Sequence, residues 1–164
     1  MLDLLPDLFD HYESQLNLIS ANWKSYGGKG IFFGEVVTVK CFEDNSKVKS
    51  ILATPGKGKV LVVDGGGGCR RALLGDMIAE SAARNEWEGI VIYGAVRDVG
   101  TLATIDIGVQ ALGANPIKTQ KKDVGQVNVD IEIASVIIKP TMMIYADRNG
   151  IAITEKPLDL AVLS

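Results

Sequence analysis

The chain has few of the residues that build the commonest metal and nucleophile sites. Its two cysteines, Cys41 and Cys69, are too few and too far apart for a disulfide framework or a zinc ribbon. They read as small buried or half-buried residues of a protein kept in a reducing cytoplasm. The single histidine, His11, lies in a polar N-terminal stretch. It excludes a multi-histidine zinc site and speaks against a Ser-His-Asp triad. No apolar run approaches the roughly 20 residues that a membrane span needs. Met1-Leu2-Asp3 opens acidic, so neither a secretion leader nor a membrane partner is expected. Basic charge is also in deficit. Seventeen Lys and Arg face 20 Asp and Glu, for a net charge of −3. With a pI near 5.2, this argues against direct nucleic-acid binding. The densest basic run, Lys118-Thr119-Gln120-Lys121-Lys122, reads as a solvated loop.

What is present is a foldable chain. Its 164 residues, 47% hydrophobic, suit one domain over 1–164 with a real core and no staples. Pro6 to Glu13 reads as a short helix, and Leu18 to Tyr26 as a second helix or a turn. Gly27-Gly28-Lys29-Gly30 reads as a flexible break. Gly34 to Phe42 alternates as a strand does, and Asp44-Asn45-Ser46 offers N-cap chemistry for a helix through Leu52. Thr54-Pro55-Gly56-Lys57-Gly58 ends that helix. Strand 60–63, a helix over about 72–85 and strand 90–93 then form a βαβ unit with a parallel pair. Ile107 to Leu112 adds a short strand. Alternation resumes from Val127 until Pro140 breaks it. Met142–Tyr145 and Ile151–Thr154 flank a tight reversal at Asp147-Arg148-Asn149-Gly150, and Pro157 to Leu163 reads as a last short helix. Parallel units in the middle and antiparallel strands at the end predict an α/β fold with mixed sheets and helical layers.

The informative stretch runs from Val60 to Asp98. One apolar run ends at Asp64 and four glycines, Gly65 to Gly68. A second, Ile90 to Tyr93, ends at Gly94-Ala95-Val96-Arg97-Asp98. If the runs are neighbouring strands, Asp76, Arg97 and Asp98 meet near a helix start at one sheet edge. The glycine run invites a dinucleotide reading, but Arg70 or Arg71 stands where the third glycine of that fingerprint belongs. No Gly-Lys-Ser/Thr closes a P-loop either. The backbone amides of Gly75, Asp76, Met77 and Ile78 offer an alternative. Unpaired amides at a helix start bind carboxylates, and Arg97 adds a forked cation. Such a pair could grip a 2-oxo acid. Singly, each residue has a plainer reading: Asp76 as a solvated acid, Arg97 as a surface ion-pair partner, Asp98 as the N-cap of a helix over 99–104.

Together these residues resemble the RraA-like family, which contains metal-dependent 4-hydroxy-4-methyl-2-oxoglutarate aldolases and the regulators of ribonuclease activity A. The resemblance covers nearly the whole chain. It rests on Asp76 and Arg97-Asp98, on Leu61-Val62-Val63-Asp64-Gly65-Gly66-Gly67, Trp87-Glu88-Gly89 and Tyr93-Gly94-Ala95-Val96-Arg97, and on Tyr145-Ala146-Asp147. Thr38-Val39-Lys40-Cys41-Phe42-Glu43-Asp44-Asn45 is close to the regulator branch. The resemblance implies a compact swivelling β/β/α-type sandwich, a homotrimer, and a divalent metal, Mg²⁺ or Mn²⁺, at Asp98. It implies substrate held by Gly75, Asp76, Met77, Ile78 and Arg97. The best-known regulator lacks the acids matching Asp76 and Asp98, and this chain has both, which favours catalysis over regulation. The catalytic residues are then Arg97, Asp98 and Asp76. They would cleave a small keto acid to two pyruvates through an enolate that oxaloacetate decarboxylation shares. The other implied role is a binding partner that inhibits ribonuclease E. Schiff-base aldol chemistry would need a desolvated lysine. Lys40, the one lysine inside a convincing strand, is expected at an exposed strand position.

Overall fold

The computed structural model describes residues 1–163. In chain order the elements are α1 (Leu5–Tyr12), β1 (Asn17–Leu18), β2 (Lys24–Ser25), β3 (Phe32–Lys40), α2 (Ser46–Leu52), β4 (Lys59–Asp64), β5 (Ala72–Leu74) and α3 (Asp76–Arg84). They continue with β6 (Gly89–Val96), α4 (Val99–Leu102), β7 (Gly108–Ala114), β8 (Gln126–Val127), β9 (Ile131–Ile133), β10 (Val136–Ile138), β11 (Met143–Asp147) and β12 (Gly150–Thr154). Single 3-10 turns cover Glu13–Gln15 and Leu160–Leu163.

One ten-stranded mixed sheet organises the molecule, in the order β1-β12-β11-β3-β4-β6-β7-β2, with β5 on β6 and β8 on β3. Its centre, β3-β4-β6-β7, is parallel. These strands read as apolar runs because both faces are covered. Alternation along β4 divides them. Leu61 and Val63 enter the core beneath the helices with Val48, Leu52, Ala79 and Ala82. Val60 and Val62 enter a second core with Ile131, Ile133 and Ile138 of the β9–β10 hairpin. The layers are therefore hairpin, sheet and helices. A third cluster packs Leu4, Leu5 and Leu8 against Tyr145 and Ala152 of the β11–β12 hairpin.

Four sequence expectations change. Leu18–Tyr26 forms no helix: β1 and β2 sit at opposite edges of the sheet. Edge carbonyls satisfy the flanking amides, Ile19 N donating to Ile151 O and Tyr26 N to Val109 O. The helix expected over 72–85 begins only at Asp76, because buried Ala72, Leu73 and Leu74 pair with Ala95 and Val96 of β6. The helix expected over Pro157–Leu163 is a single 3-10 turn, Leu160–Leu163. Gly27-Gly28 is also no loose break: both amides donate to carbonyls beside β7, Gly27 N to Val109 O and Gly28 N to Ile105 O.

Candidate active site

β4 and β6 run parallel with Asp64 opposite Tyr93, so both chains leave the sheet at the same end. β6 continues to Val96, and Arg97 N donates to Leu74 O at 2.9 Å. That bond brings the end of β5, the start of α3 and the Arg97-Asp98 pair to one point. Asp98 has φ 56 and ψ 39, in the left-handed region that Asp tolerates better than most residues. This turn directs its side chain away from α4. Asp98 does stand at the N-cap of α4, its carbonyl accepting from Leu102 N, but α4 spans only Val99–Leu102 and receives no side-chain cap. Instead Asp98 Oδ2 accepts a hydrogen bond from Asp76 N at 3.0 Å and caps α3 across the chain.

Gly75 is required here by space. Its backbone is extended, but a Cβ would stand 2.6 Å from Asp98 Oδ2 and 3.4 Å from Arg97 Nε. In the first turn of α3, Asp76 N binds Asp98 and Ala79 N binds Gly75 O. Met77 N and Ile78 N have no partner among the described residues. Two free amides at the positive end of a nine-residue helix make an anion receptor. Arg97 stands beside it. Its Nε lies 3.9 Å from Asp98 Oδ2 and its Nη1 donates to Pro116 O at 3.4 Å, both long contacts that leave donors for a ligand. Among the described residues, Asp98 Oδ1 and the Asp76 carboxylate accept no hydrogen bond. A donor set of one or two carboxylates with room for water fits Mg²⁺ or Mn²⁺. No cluster of three or more His, Cys, Asp or Glu side chains forms among the described residues.

These residues open into a cleft of about 360 Å³ that also holds Leu74, Ile78 and Ala53. Its walls carry groups that sequence reading passed over: Asn45 and Lys49 of the α2 region, Ser81 and Arg84 of α3, and Lys118 and Lys121. The only sequence trace was spacing, since Asn45, Lys49 and Ala53 recur at helical intervals, as do Met77, Ser81 and Arg84. Lys118 and Lys121 are exposed, as a solvated run should be, yet their backbone is anchored. Thr119 Oγ1 donates to Asn45 Oδ1 at 2.7 Å, and Lys122 N and Val124 N donate to Asp44 Oδ2. Arg71 Nη1 donates to Lys118 O. Lys49, Arg84, Lys118 and Lys121 make no ion pair among the described residues, so the cleft is cationic in an acidic protein.

The glycine run forms no phosphate cradle. Gly65 N and Gly67 N donate to Tyr93 O and Gly66 N to Asp64 Oδ1, so its amides turn inward, and a strand follows it instead of a helix. Lys40 is exposed at the end of β3 and lies outside the cleft lining. Burial, then the charges of Asp44 and Asp64, pushes the Cys41 thiol up to about 12, which makes it a packing residue.

A relative from Shewanella oneidensis is 62% identical over 100% of both chains, and one from Vibrio cholerae 50% identical over 98% of this chain and 100% of its own. Both carry the provisional name 4-hydroxy-4-methyl-2-oxoglutarate aldolase. Two solved structures superpose with a TM-score of 0.92 at 38% identity, each covering 98% of this chain. One is the RNA-processing inhibitor RraA of Thermus thermophilis, covered over 97% of its length. The other is described as an S-adenosylmethionine:2-dimethylmenaquinone methyltransferase from Geobacillus kaustophilus, covered over 98%. One fold thus carries proteins described with three different functions, and the site has to discriminate between them. The profile of the RraA-like family, described as Aldolase/RraA, matches residues 4–153, and the chain belongs to that family.

Proposed function

We propose that the cleft cleaves 4-hydroxy-4-methyl-2-oxoglutarate to two pyruvates with the help of a divalent cation, Mg²⁺ or Mn²⁺. One observation carries this reading: the free amides of Met77 and Ile78 and the Arg97 guanidinium lie next to the Asp76 carboxylate and to Asp98, whose Oδ1 accepts no hydrogen bond among the described residues. A 2-oxo acid needs both halves. Its carboxylate suits the amides at the start of α3. Its keto oxygen, which gains charge as the C–C bond breaks, suits Arg97. Asp98 would hold the cation through Oδ1 while Oδ2 stays on Asp76 N, and Asp76 would orient a bound water. A cation there supplies Lewis-acid stabilisation of the developing negative charge. Loss of the C4 hydroxyl proton and cleavage of C3–C4 releases one pyruvate from C4 and its substituents. The C1–C3 half leaves as pyruvate enolate, and protonation at C3 gives the second pyruvate. Oxaloacetate reaches the same enolate by losing CO₂, so decarboxylation is an expected side activity.

The test is pyruvate release from both substrates with added Mg²⁺ and with EDTA. Protein-dependent turnover that EDTA abolishes supports the reading. Lys40→Ala should leave that activity intact; loss of turnover in the folded variant would favour Schiff-base chemistry instead. The 38% identity to an RNA-processing inhibitor favours a second role, binding and inhibition of ribonuclease E. Absence of turnover from folded protein, together with capture of ribonuclease E, would put that role first.

A further inference from the structure

A second cavity, of about 350 Å³, opens where the sheet closes on itself. β1 and β2 stand at the two ends of the strand order, yet only residues 19–23 separate them. So short a link spans at most about 20 Å and holds the two edges together. Gln110 of β7 seals the seam: its Nε2 donates to Asp147 O, at the end of β11, at 2.7 Å. The seam lies toward the N-terminal end of β3, because Ala146 of β11 pairs with Phe32. Arg97 and Asp98 lie past the C-terminal end of β6, at the other end of the sheet.

The polar groups around the cavity have fixed directions. Gln110 is 2% exposed, and a backbone carbonyl only accepts, so the seam bond orients the amide and turns Oε1 away from it. That oxygen has no hydrogen-bond partner among the described residues. Asn149 is oriented in the same way. Its Nδ2 donates to Asp3 Oδ1 at 2.9 Å and to Asp147 Oδ2 at 3.1 Å, which leaves Oδ1 without a donor among the described residues. Both residues line the cavity, and so do the exposed Lys24 and Arg148. Neither cation makes an ion pair among the described residues. The buried Asp147 carboxylate is committed to Leu4 N, Leu5 N and Asn149. Trp23 completes the lining, its ring fixed by a bond from Nε1 to Ile19 O at 2.8 Å.

We infer that this seam cavity binds a free α-amino acid as its zwitterion. The carboxylate meets the Arg148 fork and Lys24, the ammonium donates to Gln110 Oε1 and Asn149 Oδ1, and the side chain lies against Trp23. A lone anion would leave both acceptors to water, and a lone cation would face Lys24 and Arg148, so neither matches the whole set.

Heteronuclear NMR of the indole N–H groups, with the whole protein titrated by each common L-amino acid, tests this. The chain has two tryptophans, and Trp87 lies outside the cavity lining with its Nε1 on Thr54 O. At least one amino acid should shift the Trp23 resonance saturably, with millimolar affinity or better, and leave Trp87 in place. Its des-amino analogue and its carboxamide should each bind at least tenfold more weakly. The Lys24→Ala/Arg148→Ala variant, changed only at exposed positions, should lose at least tenfold in affinity. Failure of every amino acid to move Trp23 would overturn the site. So would a des-amino analogue that binds as tightly as its parent, or an affinity unchanged in the double variant.

Discussion

Asp98 divides its carboxylate: Oδ2 holds the start of α3, and Oδ1 accepts no hydrogen bond among the described residues. The isosteric Asp98→Asn keeps an acceptor for Asp76 N but removes the charge. The expected outcome is a melting temperature within a few degrees of wild type, with turnover down at least 100-fold and Mg²⁺ stimulation lost. Activity that persisted with its metal dependence would move the cation elsewhere. Gly75→Ala tests the same point sterically. A methyl 2.6 Å from Oδ2 must push the carboxylate off Asp76 N, and a displacement of that size should lower kcat at least tenfold. Steady-state kinetics would show it. Asp98 was legible in the sequence as a functional candidate, because Arg97-Asp98 ends an apolar run. Its role as a cap for α3 was not, since that depends on a left-handed φ and on a residue 22 positions away.

Among the elements, the segment from Lys118 to Val124 has no regular structure of its own. Its position depends on two buried residues, Asp44 and Asn45, that precede α2. Burial pushes the Asp44 carboxyl up, but hydrogen bonds from Ser46 Oγ and N, Lys122 N and Val124 N outweigh it and hold it at about 2. At Asp147 burial likewise raises, while the amides of Leu4 and Leu5 and the side chain and amide of Asn149 lower, for a net depression. Depressed carboxylates contribute their full stabilisation above the unfolded value near pH 4, and lose it as pH falls through the folded value. Denaturant midpoints should therefore fall between about pH 4 and pH 2, and less steeply in Asp44→Asn. Asp44→Ala should cost about 2 kcal/mol and loosen the Lys118–Lys121 wall, raising KM for an anionic substrate more than it lowers kcat. Long elements were legible: β3, β4, β6 and the β11–β12 hairpin announce themselves by alternation or apolar runs. The two- and three-residue strands β1, β2 and β5 were not, because they exist only through the partners they pair with.

At the scale of the whole molecule, charge is unevenly distributed. A chain of net −3 lines one cleft with Arg97 and four cations that make no ion pair among the described residues. Raising ionic strength should therefore increase KM for a dianionic substrate, as screening weakens capture. Light scattering should return three times the 17.6 kDa chain mass, and a monomer would remove the homotrimer expected from the family resemblance. Within the sequence itself lay the α/β class, the parallel centre and the candidacy of Asp76, Arg97 and Asp98. Those follow from the periods of local patterns and from side-chain chemistry, which travel with the chain. Only the tertiary structure decided that Asp98 caps α3 and that Met77 and Ile78 keep free amides. It alone gathered Lys49, Arg84, Lys118 and Lys121, from three separate segments, around one cleft. Each of those facts depends on distances between residues remote in sequence, which packing sets and local pattern does not encode.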